Sequence, residues 1–159
     1  MINEEIDPFV VFFPNRNGCV STDAERSDSP VEAMMLRALI DCGFRQPASP
    51  ATPSLGTIYQ QHRIDDLRVD FAIVRFVEDY PIGIAVEVDG YNFHQRTREQ
   101  VDRDNARDNK LQRLGWTVLR YSGSRVHHDA MGCALDVADT LIERVNRIQG
   151  GHIIEWVDV

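Results

Sequence analysis

No part of this chain stays apolar for the roughly 18 residues that a membrane-spanning helix needs, so no span is expected. The opening MINEEIDPFVVFF carries no cations ahead of its apolar part, which argues against a secretory signal. Cysteine is scarce: Cys19, Cys42 and Cys133 are odd in number, far apart and form no CxxC pair. That pattern argues against a structural zinc cluster and fits a reducing cytoplasm. Cations are in short supply too. The 17 Lys and Arg against 25 Asp and Glu leave a net charge of −8, which weighs mildly against a nucleic-acid partner. What remains is ordinary: 159 residues, 43% of them hydrophobic, enough for one domain with a real core and too apolar for global disorder.

The charge is unevenly spread. Between Arg96 and Arg125 eight cations (Arg96, Arg98, Arg103, Arg107, Lys110, Arg113, Arg120, Arg125) face four acids (Glu99, Asp102, Asp104, Asp108). That segment is locally basic in an acidic chain.

Residues 1–28 read as a weak strand and loop, an N-terminal extension. Ser29-Pro30-Val31-Glu32 is a helix start, with Ser at the N-cap, Pro at the first turn and Glu three residues on as a capping box. The helix runs to about Cys42, where Gly43 stops it, and buries Val31, Met35, Ala38, Leu39 and Cys42. Three strands follow at about 57–64, 67–76 and 82–89, joined by short acidic turns and simplest as an antiparallel meander. A polar helix at about 97–114 ends at Gly115, and Trp116–Tyr121 is a short strand. A loop through Ser122-Gly123-Ser124 leads to a last helix at about 129–148, and His152–Val159, within the tail 150–159, is a candidate edge strand. The expected class is α/β: a mixed central sheet flanked by helices, in the order αβββαβα, over a domain at 29–149.

The third strand, with its sequel, is IAVEVDGYNFH. Alternation puts Ile82, Ile84, Val86 and Val88 on one face, and Glu87 and Asp89 on the other behind the small Gly83 and Ala85. Two acids side by side at a strand end repel unless a cation or a proton lies between them. That arrangement points to a metal. Asp70 stands in the apolar frame Val69-Asp70-Phe71-Ala72-Ile73, where an acid is costly without a partner. Opposed side chains across an antiparallel ladder lie about 5 Å apart, so Asp70 and Glu87 can face one another. Several of these residues have plainer readings. Asp89 before Gly90 is also a turn acid, Glu32 also a cap, and His94 also a satisfied half-buried histidine. His127 and His128 read as solvent-facing.

Arg96, Arg103, Arg107 and Lys110 fall within about 60° of each other on a helix, a stripe suited to a phosphate backbone. Asp104 and Asp108 share the protein-facing side with Val101 and Leu111, as partners for arginines or as outer acids of the site.

The element order, with an Asp in the second strand, ExD closing the third and a basic helix after it, resembles the PD-(D/E)xK nuclease superfamily. Within it, VEVDGYNFH followed by RDNARDNKLQRLGWTVLRYSGSRV looks like the very-short-patch-repair endonuclease and its small relatives, over about residues 29–145. The resemblance implies a restriction-endonuclease-like fold and cleavage of DNA with Mg²⁺, with Mn²⁺ as a candidate substitute. It places the metal-binding acids on Asp70 and Glu87, with Asp89 extending the cluster. A helix glutamate used in some branches falls on Glu32, and the histidine after the glycine on His94. One position departs from the pattern: Asp89 stands where the superfamily carries lysine. Lys110, Gln112 and His94 are the substitutes the sequence offers, without a way to choose. The expected partner is DNA, bound by a monomer, a homodimer or a larger repair or defence assembly. The alternative is a catalytically impaired relative that binds nucleic acid within such an assembly.

Overall fold

The computed structural model describes residues 29–47, 54–90 and 97–150. Helix α1 is Pro30–Asp41, followed by strands β1 (Thr57–Ile64), β2 (Leu67–Val77) and β3 (Tyr80–Asp89). Helix α2 is Arg98–Arg113, strand β4 is Trp116–Ser122 and helix α3 is Gly123–Ile148. The four strands form one sheet in the order β1-β2-β3-β4. The first two pairings are antiparallel and the last is parallel, with α2 as the crossover. The expected order and the mixed α/β sheet are what the chain forms. The expected edge strand in the tail and the reading of residues 1–28 lie outside the described residues.

Each face of the sheet has its own core. Phe71, Ile73, Ile82, Ile84 and Val86 pack with Met35 and Leu39 of α1 and with Val126, Val137 and Leu141 of α3. Ala72, Val74 and Ala85 pack with Leu111 of α2 and with Trp116. The second layer is thin because small residues line it. A Cβ on Gly83 would lie 2.7 Å from the Trp116 ring, so only glycine lets that indole lie flat against β3.

Two helix starts differ from expectation. Ser29 makes no side-chain cap at α1, so the capping box is absent there. Glu32 accepts a hydrogen bond from Gln61 Nε2 at 2.8 Å instead. A complete capping box opens α2, where Thr97 accepts from the Gln100 amide and Gln100 reaches back to the Thr97 amide. The stretch read as a loop after β4 is already helical. Ser122 caps it through the Arg125 amide, and α3 runs through a kink at Asp129 (φ −151°, ψ 70°). Asp129 Oδ1 accepts from the Gly132 amide at 2.8 Å and caps the second segment. The sequence signal at Asp129 therefore marks a restart of the helix, not its beginning.

Strands β1 and β2 are interrupted at one level. Their register pairs Gln60 with Phe71 and His62 with Val69 but skips Gln61 and Asp70 between them. Gln61 has φ +46°, the left-handed region, in the interior of a strand. A non-glycine residue there costs on the order of 1 kcal/mol. Beyond this point the faces exchange. By alternation Ile64 should share the face of Ile58, and Val69 that of Phe71, yet Ile64 and Val69 both belong to the opposite core. Tyr59 and His62, three residues apart, likewise end on one side, with ring centroids 5.4 Å apart.

Candidate active site

The sheet carries three acids to one end. Antiparallel pairing of β2 and β3 is recorded up to Phe71 opposite Val86, and one further step sets Asp70 opposite Glu87. The ladder stops there because the Asp70 side chain takes over: its Oδ2 accepts the Val88 amide at 2.8 Å. On the other side of β3 the parallel register aligns Glu87 with Arg120 and Asp89 with Ser122. Arg120 thus comes to lie beside both carboxylates on the α2 face.

Glu87 is the one buried charged residue among those described, 8% exposed. Burial pushes its carboxyl up to about 7. Asp70 and Asp89 push the same way, while Arg107 and Arg120 pull it down without prevailing. The short contact is from Arg107 Nη2 to Glu87 Oε1, 2.6 Å, and the same nitrogen donates to the Arg68 carbonyl. One guanidinium therefore ties α2 to the buried acid and to the β1–β2 hairpin.

Arg120 gathers the remaining acids. Its Nη2 donates to Asp108 Oδ1 at 2.7 Å, and its Nη1 lies 3.5 Å from Asp89 Oδ1 and 3.9 Å from Asp104 Oδ2. Burial works against its charge, but Asp108, Asp89 and Glu87 outweigh that and hold it above its ordinary value. Five acids (Asp70, Glu87, Asp89, Asp104, Asp108) and two arginines make up the cluster. Asp104 and Asp108 do turn inward toward an arginine, whereas Val101 is 42% exposed and does not share the buried side with Leu111.

The row of cations on α2 is not a free stripe. Arg107 is committed to Glu87, and Lys110 bridges Asp65 Oδ2 at 2.7 Å and Asp66 at the β1–β2 turn. Arg103 is exposed. Arg96 and His94 lie outside the described residues. Neither substitute in α2 for the absent lysine reaches Glu87: Lys110 is held at the hairpin turn and Gln112 is exposed. Among the described residues, the cations beside Glu87 are Arg107 and Arg120. Glu32 is joined to Gln61, and His127 and His128 are exposed.

Among the described residues no three His, Cys, Asp or Glu side chains form a ready metal cage. Asp70 and Glu87 still suit a hard divalent cation of the kind that keeps several waters and takes only one or two carboxylates from the protein. Burial is the main reason the Glu87 carboxyl is raised and the Asp70 charge adds to it; a bound cation would offset both.

Residues 55–141, more than half of the chain, match the family REase_MTES_1575, which is restriction-endonuclease-like. The chain belongs to this family. The matched segment contains all four strands, helix α2 and every member of the acid and arginine cluster. Neither the curated proteins nor the solved structures yield a match.

Two site residues escaped the sequence reading. Arg120 was visible only as one cation in a basic segment. Its alternation with Trp116 and Val118 becomes informative once β4 is known to lie beside β3. Gln61 carried no signal, because nothing in TIYQQHRI marks a left-handed residue.

Proposed function

We propose that this REase_MTES_1575 member is a metal-dependent endonuclease that hydrolyses phosphodiester bonds in DNA, of the very-short-patch-repair type, in repair, restriction or defence. The observation that carries this reading is the buried Glu87 opposed to Asp70 across β2 and β3, within the matched segment. Asp70 and Glu87 would hold Mg²⁺, or Mn²⁺ in its place, and the ion would supply a Lewis acid for the phosphate and an activated water. The chain's own residues do the rest. Arg107 sits on α2 at the rim of the acid pair, in position to exchange its carboxylate for a phosphate oxygen. Arg120 holds Asp89, Asp104 and Asp108 in place and partly offsets the repulsion that Asp89 adds to the pair. His94 follows the site in sequence and is the candidate for moving a proton. Arg96 and Arg103 supply backbone contacts. The DNA is taken by one copy, by a homodimer or within a larger assembly in the cytoplasm.

A second reading, a nuclease-fold protein that binds nucleic acid without cutting it, is favoured by one observation. Asp89 stands in the place of the usual lysine and is already bound to Arg120. Plasmid and single-stranded DNA incubated with the wild type, Asp70→Asn and Glu87→Gln in Mg²⁺, Mn²⁺ and EDTA separate the two. Cleavage by the wild type alone, abolished by EDTA, is expected. Retained DNA binding with no cleavage under any metal moves the protein to the second reading.

A further inference from the structure

We propose that Gln61 is a positioning residue for Asp70. Its left-handed backbone turns the β1–β2 tip over, opens the ladder opposite Asp70, and so lets that carboxylate lean from the α2 face toward the Val88 amide of β3, next to Glu87. The proposal rests on Asp70 being a site residue, as set out above, but its evidence is independent of any metal.

In a regular strand pair, Gln61 and Asp70 would face each other with their main chains in the ladder. Asp70 would then stand perpendicular to the sheet over the α2 face, as Ala72 and Val74 do. Three observations show a different outcome. The β1–β2 ladder omits the Gln61–Asp70 pair, although the register on either side is unchanged. No residue is inserted, so this is not a bulge that adds a residue to one strand. Ile64 and Val69 have crossed to the other core, so the strand pair is rotated about this level. Lastly, Asp70 Oδ2 takes the Val88 amide, a bond available to a side chain lying near the plane of the sheet.

Gln61 is held in its unusual conformation from two sides. Its Nε2 donates to Glu32 Oε2 of α1 at 2.8 Å, and its Oε1 accepts from Arg68 Nε at 2.7 Å. Both amide ends are used, one by a helix and one by the neighbouring strand. This gives Glu32 a role that neither capping nor metal ligation supplies: it anchors the residue that places Asp70. Strain of this kind persists where the surroundings over-determine it, and it concentrates at functional sites.

The test is a series at position 61 graded by tolerance of positive φ: Gly, Asn, Ala and Val in decreasing order. The readout is hydrogen exchange of the Val88 amide, which reports the Asp70 bond directly, with the Ile73 and Ile84 amides as internal controls of the fold. Gln61→Gly should keep Val88 protected although it removes both side-chain bonds. Gln61→Val should lower that protection roughly tenfold, as Asp70→Ala should also do, while Ile73 and Ile84 stay protected. Calorimetric Mn²⁺ binding should weaken in the same order. Val88 protection that is equal in Gly and Val variants overturns the proposal. So does protection lost in Gln61→Gly and restored by no variant but the wild type, since the side chain would then act alone. Should Gln61→Val not fold, the Gly, Asn and Ala members still give the ranking. A Val88 ranking as expected, with no Mn²⁺ binding by the wild type, would leave Gln61 as the residue that places Asp70 and remove the nuclease reading instead.

Discussion

Glu87 is a carboxyl that the fold keeps poor in charge, and Arg107 is what partly compensates it. Their contact of 2.6 Å is short, yet burial still holds Glu87 at about 7. A divalent ion arriving at Glu87 would meet the Arg107 guanidinium as a competitor of like sign. Without Arg107 the Glu87 carboxyl ionises at a higher pH than in the wild type, so the comparison belongs at a pH alkaline enough to ionise it in both, and there Arg107→Met should bind Mn²⁺ several-fold more tightly. The same variant should bind DNA more weakly, with a salt slope smaller by about one. It should also lose about 2 kcal/mol of stability, because a buried acid is left without its cation. Calorimetry with Mn²⁺ decides the matter: equal metal affinities would mean that Arg107 is a structural tie and not a competitor.

Much of this residue-scale picture was legible beforehand. Asp70 and Glu87 announce themselves as acids in apolar strands, and alternation alone puts Glu87 and Asp89 on one face. What alternation does not carry is which cation faces which acid. Arg107 and Lys110 look equivalent on a helical wheel. The sheet separates them, because Lys110 lies over the Asp65-Asp66 turn and Arg107 over the strand end.

At the scale of elements, pairing of β3 with β4 brings Arg120 to Glu87, and close packing at the start of that pair fixes its register. Gly83 is aligned with Trp116, and its missing side chain is the space the indole occupies. Gly83→Ala would drive a methyl to within 2.7 Å of the ring, so either β4 or the indole must move. Overpacking of this kind costs about 1–3 kcal/mol. Since Arg120 is four residues along β4 from Trp116, the displacement should also loosen its bonds to Asp89 and Asp108. Urea unfolding of Gly83→Ala should show the loss, and the Glu87 carboxyl, followed by NMR, should move further up as Arg120 withdraws. Unchanged stability would mean that Trp116 adjusts freely. The meander of the first three strands and most strand boundaries follow from the turn residues and the periodicity, whereas the place of β4 beside β3 comes from the sheet. The rotated β1–β2 tip does not, because it depends on tertiary bonds from Glu32 and Arg68 that no local pattern encodes.

For the whole molecule, the governing quantity is negative charge: −8 overall, with five acids collected around two arginines at the site. Such a protein approaches DNA only through local features, and no described helix is long and apolar enough to cross a membrane. The same charge makes stability depend on pH and on metal together. Glu87 has a folded value of about 7 against an unfolded value of 4.5, so the folded state holds a proton that the unfolded state releases. Its contribution is full below the unfolded value and is lost as pH rises through about 7. The loss amounts to about 3 kcal/mol at most, or some 6–12 °C in a chain of this size. Without metal, the difference in melting temperature between wild type and Glu87→Gln should therefore widen from about pH 5 to about pH 8, the variant becoming the more stable. Millimolar Mg²⁺ should close that gap at about pH 8 by raising the wild type alone, since an ion that binds only the folded state stabilises it in proportion to the logarithm of its excess. A gap that Mg²⁺ leaves untouched at every pH would take Glu87 out of the metal site, whatever the nicking assays show.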